Sequence, residues 1–340
     1  MTESTMKKDQ SIALVRVVAM LSIILCHIFN VFSRLAFLGQ IFNVGVFTFL
    51  FVSGFLYGKK NIDSVSNWLI KRAMRILIPM YIFMLFLFGF RLIMLHQLEP
   101  LSYLAYFLNI QGFVGSVTGG DHLWFLTAIM ICYLITPFLN RIKPKVIAFT
   151  KAELFVSLLV MVLVQVLTSY FSNRLIGVYL GYVIVYVFAY FFSCLWNRNI
   201  SNKGFVIYTA MSIFALVLRV AVRQVADGSF LYANFIVIYT QAVFGIWIFI
   251  CICYFKKIAN SNIVSKIANH LEQVTFEIYI VHYMFIVGPL QVIRLTQYTV
   301  VNIVLVLVLS YVSGVILHEI CNLVYNLTIY KRIVRIGMPR

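Results

Sequence analysis

Ten apolar runs divide the chain, at roughly 12–32, 41–58, 74–95, 123–140, 154–171, 176–195, 204–222, 233–254, 274–293 and 299–325. A helix needs about 20 residues to cross about 30 Å of hydrocarbon, and these runs have about that length. No Gly/Ser linker, acidic tail or polar domain separates them. The pattern predicts an all-α fold: one polytopic membrane bundle of about ten transmembrane helices, occupying 1–340 as a single domain.

The polar segments between the runs orient the bundle. One set holds Lys7, Lys8, Lys59, Lys60, Lys71, Arg72, Arg75, Arg141, Lys143, Lys145, Lys151, Arg198, Lys203, Lys256, Lys257, Lys266, Lys331, Arg332, Arg335 and Arg340. The alternate set holds Arg34, Arg91, Arg174, Arg219, Arg223 and Arg294, which is 20 basic residues against six. Basic residues collect in cytoplasmic loops, so both termini are expected in the cytoplasm of a multi-pass cell-membrane protein. The longest outward loop, about 96–122, has an apolar stretch at Leu101–Phe107 followed by Gly112, Gly115, Gly119 and Gly120. That suits a short interfacial helix and then a flexible segment, either a substrate entrance or a plain connector.

Composition narrows the class further. Hydrophobic residues make up 63% and charged residues 11%, against about 25% charge in a soluble domain. The net charge of +17 follows from the loop bias and suits contact with anionic membrane lipids. It does not point to nucleic acid, because no basic run is interleaved with aromatics. The six cysteines form no C-x-x-C pair and mostly sit in apolar runs, as small buried hydrophobes do. A cleaved signal peptide does not fit, since Arg16 interrupts the first run and no small-residue cleavage site follows. The six histidines are dispersed, with no H-E-x-x-H or other metal-ligand spacing, so no metal is expected.

Charged groups inside a span are costly, so each needs an account. Arg16 and His27 are 11 residues apart in the first run. At about 100° per residue that is three turns plus about 20°, so they share a helix face about 16 Å apart along the axis. Arg16 could instead snorkel to lipid phosphates, and His27 could be a bonded core histidine. Arg72 and Arg75 stand i,i+3 just before Pro79. Their shared face suits phosphate or diphosphate groups, or serves only as a topology signal. Asp121 and His122 precede Trp124 at the outer end of the fourth run. An aromatic belt accounts for Trp124 and helix capping for Asp121. Glu277 and His282, five residues apart in the ninth run, do not share a face. Glu319, beside His318 in the tenth run, lies at a depth similar to Arg16 and is its expected ion-pair partner.

Five ordered blocks add a resemblance. They are R-V-V-A-M-L-S-I-I-L-C-H (Arg16 to His27), F-V-S-G-F-L (Phe51 to Leu56), K-R-A-M-R-I-L-I-P (Lys71 to Pro79), H-L-W-F-L (His122 to Leu126) and T-F-E-I-Y-I-V-H (Thr275 to His282). In this order the chain resembles the membrane-bound acyltransferase 3 family. The resemblance implies a ten-helix bundle that moves an acyl group, commonly acetyl, from cytoplasmic acyl-CoA to a sugar hydroxyl of a surface glycan or its lipid-linked precursor. It implies no bound cofactor, with acetyl-CoA entering as co-substrate. By that resemblance Arg16 and His27 match the essential pair of the first block, and Arg72 and Arg75 match the arginines associated with the CoA donor. Glu319 matches the acidic residue near the end of the last helix, although Ile320 and Cys321 follow it where the family often has a basic residue and Pro. Glu277 stands where the family usually has a small residue and is a candidate acceptor contact, with His122, Trp124 and His282. The chain stops after the tenth run, so no fused extracytoplasmic esterase-like domain is expected.

Together these features predict that the phosphates of acyl-CoA rest on Arg72 and Arg75, with Arg16, and that the pantetheine arm follows the first helix outward to His27. There His27 acts as a general base on the acceptor or carries the acyl group transiently. The rival classes are a transporter or exporter, with the buried charges as its pathway, and a non-enzymatic partner in a polysaccharide assembly complex. No pair of Gly/Pro-broken helices at matching positions favours the transporter.

Overall fold

A computed structural model of the protein describes residues 10–97, 99–196, 200–226 and 228–327. Lys7, Lys8, Arg198, Lys331, Arg332, Arg335 and Arg340 of the basic bias lie outside them. The described residues are helical, with no strand among them. Helix α1 (Gln10–Val31) fills the first apolar run and touches α2 (Ala36–Phe42) and α3 (Gly45–Gly58). The second run is therefore a broken helix, interrupted at Asn43 and Val44. Helix α4 (Val65–Leu95) starts well before its apolar run and carries Arg72 and Arg75 inside it. Hydropathy marks only the hydrocarbon-crossing part of a helix, and polar turns can extend it on either side.

The outward loop folds into α5 (Pro100–Phe107), as expected at Leu101–Phe107, and α6 (Gln111–Val114). A 3₁₀ turn, Asp121–Leu123, then opens α7 (Trp124–Ile147). Arg91 pins this loop: it is buried in α4, pairs with the Glu99 carboxylate and donates to the Thr118 carbonyl at 3.3 Å. Asp121 does not cap α7. It accepts from the Ser116 hydroxyl at 2.6 Å, tying the loop to itself.

Helix α8 (Lys151–Phe171) starts with a reciprocal capping box between Thr150 and Glu153, and Asn173 caps α9 (Arg174–Leu195). In α10 (Asn202–Ala226) Arg219 lies within the helix, buried, and donates to the Gln40 side chain. A π turn, Tyr232–Ile236, leads into α11 (Val237–Tyr254), and then come α12 (Lys256–Ala259) and α13 (Asn262–Val281). A short α14 (Tyr283–Ile286) follows directly, and α15 (Thr299–Asn326) ends the described chain.

Among the described residues nine helical stretches are long and apolar enough to cross a membrane. The expected ninth run, 274–293, is the exception. Its helix, α13, begins at Asn262 and ends at Val281. Twenty residues of α-helix span about 30 Å, but His270, Glu272 and Glu277 lower its hydropathy. Each of these is bonded to another helix: His270 to Tyr311, Glu272 to Arg16 and Glu277 to His318. Polar residues satisfied inside the bundle hide a helix from a hydropathy pattern.

Helices α3 and α9 pack backbone against backbone. A Cβ on Gly54 would lie 2.3 Å from the Tyr186 carbonyl oxygen, and one on Gly58 would lie 2.0 Å from that of Tyr190. Small residues permit such approach between membrane helices. Gly54→Val should therefore force the pair apart at a cost of about 1–3 kcal/mol. Thermal unfolding of the detergent-purified variant checks this, and an unchanged Tm would contradict the packing.

Candidate active site

Three histidines from three separate parts of the chain meet in one half of the bundle. His27 comes from α1, His122 from the 3₁₀ turn before α7 and His282 from the junction of α13 and α14. The rings of His27 and His282 are 5.4 Å apart between centroids, and those of His122 and His282 are 4.9 Å apart. Tyr283 packs against both His27 and His122, at 4.8 and 4.7 Å.

Local bonds fix this cluster. His282 Nδ1 lies 2.6 Å from the Tyr279 carbonyl, and His122 Nε2 lies 3.0 Å from the Ile280 carbonyl. A carbonyl only accepts, so each ring nitrogen is the N–H. The Tyr279 hydroxyl in turn donates to the His122 carbonyl at 2.5 Å, stitching the end of α13 to the start of α7. In the neutral rings His122 Nδ1 and His282 Nε2 are then bare lone pairs, both buried and without a hydrogen-bond partner.

A cavity of about 310 Å³ opens beside the cluster. His27, His122 and Trp124 line it, with Cys26, Asn43, Tyr182 and Gln241; His282 stands behind this wall. A second cleft of about 450 Å³ lies against it, bounded by α6, Ser116 and Asp121 from the outward loop and by α9. Trp124, Val178 and Tyr182 line both spaces. The Trp124 and Tyr182 rings stack at 4.9 Å to make the shared partition. The outward loop thus borders the cleft on the far side of the Trp124–Tyr182 partition.

The far end of α1 is basic. Arg16 makes a 2.8 Å ion pair with Glu272 of α13. Arg72 is half-buried over the Tyr57 ring, 5.3 Å from its centroid. Arg16 and Arg72 both act electrostatically on Tyr133 of α7, so the two guanidiniums share one neighbourhood. Arg75 is exposed.

The expected Arg16–Glu319 pair does not form, and Glu319 is exposed on α15. Helices α1 and α13 run parallel, with Arg16 against Glu272 and His27 against His282. An apolar run starting at 274 leaves Glu272 outside any helix, which is why Glu319 stood as the available carboxylate. Glu277 is not beside the histidines. It is buried and pairs with His318 at 3.2 Å. His122 and Trp124 line the same cavity as His27, and His282 packs against His27.

Sequence reasoning missed Glu272, Gln241 and the break at Asn43. The signal for Gln241 is an amide inside an apolar run. For Glu272 it is a ten-residue spacing to His282 that nearly repeats the spacing from Arg16 to His27.

An all-α membrane bundle with a histidine-lined cavity between its helices is thus defined by the fold and the site. The acyltransferase domain family, acyltransferase 3, matches residues 9–319, most of the chain, and the protein belongs to it. It is a membrane acyltransferase. No curated protein and no solved structure matches the chain.

Breaking one side of the Arg16–Glu272 pair leaves the other charge poorly compensated. Glu272→Leu should cost about 1–3 kcal/mol in detergent. Arg16→Leu added to it should recover most of that stability without recovering acyl transfer. A double variant with wild-type transfer would reduce Arg16 to a structural ion.

Proposed function

We propose that the protein transfers an acyl group, acetyl, from cytoplasmic acyl-CoA to a sugar hydroxyl of an extracytoplasmic or lipid-linked glycan. The observation that carries this reading is the alignment along α1. Arg16 and Arg72 each lie within electrostatic range of Tyr133 toward one end, and His27 lines a cavity toward the other. The two ends are about 16 Å apart, comparable to an extended pantetheine arm.

Arg72 and Arg75, with Arg16, hold the donor phosphates, since a guanidinium forks onto two oxygens. The acceptor arrives through the outer cleft, past Trp124 and Tyr182. His27, in its neutral form, takes the proton of the attacking hydroxyl. His122 lines the same cavity and faces the acceptor, while His282 backs His27. The basic bias orients the arginine end, and both termini, to the cytoplasm. Family membership supports transfer chemistry over transport.

The test is transfer of label from [14C]acetyl-CoA to membrane glycan in vesicles carrying each variant. His27→Gln should lower turnover by about 10² or more with normal insertion and near-normal acetyl-CoA binding. The Arg72→Ala, Arg75→Ala double variant should instead weaken acetyl-CoA binding, at about 1.5–3 kcal/mol per lost contact. Near wild-type transfer by His27→Gln would make His27 a packed core histidine.

A further inference from the structure

The cavity beside His27 holds more hydrogen-bond donors than the protein uses. Gln241, on α11, lines it and is 3% exposed, and its carboxamide makes no hydrogen bond among the described residues; Nε2 lies just beneath the cavity wall and reaches the space by a turn of the carboxamide. Gly45, Val46 and Phe47 line the same cavity and form the first turn of α3. No side chain caps that turn. The first helical bond runs from Thr48 N–H to the Val44 carbonyl, at 3.0 Å. The three preceding amides have no intrahelical acceptor, as at the start of any helix, and no hydrogen bond among the described residues satisfies them.

These are two independent features of one cavity. In a membrane interior a buried, unsatisfied amide is costly, because no water relieves it. A helix interrupted at membrane depth is tolerated where its irregular backbone lines a cavity. Here the break at Asn43 aims the positive end of α3 at the space occupied by His27 and His122. Gly45 makes this possible. A Cβ there would lie 2.3 Å from the Ala19 carbonyl oxygen of α1, so only glycine lets α3 begin against the helix that carries His27.

We propose that Gln241 Nε2–H and the first amides of α3 form the oxyanion hole of the acyl transfer, receiving the acyl carbonyl oxygen. This rests on the reading of His27 as the base. The acceptor oxygen bonds to the thioester carbonyl carbon while its proton passes to His27. The carbonyl π pair moves onto the carbonyl oxygen, which becomes an oxyanion held by Gln241 and the α3 amides. Collapse re-forms the carbonyl and breaks the carbon–sulfur bond, and His27 returns its proton to the CoA thiolate. Gln241 thereby touches a reacting atom and is a catalytic residue. Donors aimed at developing charge in a water-poor site stabilise the transition state more than the ground state.

The test is Gln241→Met, similar in volume and without a donor, assayed in full-length protein in vesicles with [14C]acetyl-CoA and endogenous membrane glycan. Loss of one oxyanion donor should lower kcat by about 10²–10³-fold while KM for acetyl-CoA changes little. The Tm should hold or rise, because an unsatisfied buried amide is removed. A glutamine with only a structural role predicts the reverse, a lower Tm with transfer preserved. Gln241→Leu repeats the test should the Met variant fail to insert. Transfer by either folded variant within about threefold of wild type overturns the proposal. His27→Gln run in parallel separates the two readings. If it is inactive while Gln241→Met is active, the oxyanion hole alone falls; if His27→Gln is itself active, the assignment of the base falls.

Discussion

The parallel packing of α1 against α13 is the constraint on which the rest depends. It is pinned twice. Arg16 meets Glu272 at one end, and His27 meets His282 at the other. Ten residues of α13 and eleven of α1 separate these points, so the helices stay in step over roughly three turns. A slip of one residue would rotate His27 by about 100° away from the cavity. The ion pair at the basic end therefore governs the geometry at the histidine end. Arg16 matters to the site both as a charge and as the register mark of α1.

Around this pair, two irregular backbone segments lie in the cavity wall. The break at Asn43 and the π turn at Tyr232–Ile236 both border the cavity, which is lined by Asn43, Gly45 and Ala233. The end of α13 lies beside it, at His282. Hydrocarbon tolerates unpaired backbone only where protein or a cavity covers it, so these breaks are informative about where a substrate goes. The lipid-facing helices α8 and α10 show the contrast, since their spans are only 11% and 17% buried and they run unbroken. They contribute no residue to the cavity beside His27.

Much of this was legible in the sequence. The apolar runs fall within or across all nine of the spans, although Ser33–Gly58, Val65–Leu95 and Asp121–Ile147 extend well beyond theirs, and the shared face of Arg16 and His27 survives in the folded chain. What hydropathy could not give was α13, because a helix whose polar groups are satisfied by Arg16, His318 and Tyr311 has no apolar signature. Losing its true start also misassigned the partner of Arg16. The gathering of His122 and His282 around His27 was hidden for a different reason. It depends on bonds between residues more than 150 positions apart, such as His122 to Ile280, which no local spacing encodes. Gln241 is an amide inside an apolar run, and only the folded chain sets it on the same cavity as the break at Asn43.

The central claim is that acyl chemistry occurs in the cavity between His27 and Gln241, with the donor threaded from the arginine end of α1. A cryo-EM structure of the full chain with acetonyl-CoA, a ketone analogue that cannot transfer its acyl group, tests it most directly. The account predicts the phosphates at Arg72 and Arg75, the arm alongside α1, and the ketone oxygen facing Gln241 and the start of α3, with His27 beside the carbonyl. An analogue whose ketone lies outside this cavity, with the His27 wall untouched, would contradict it.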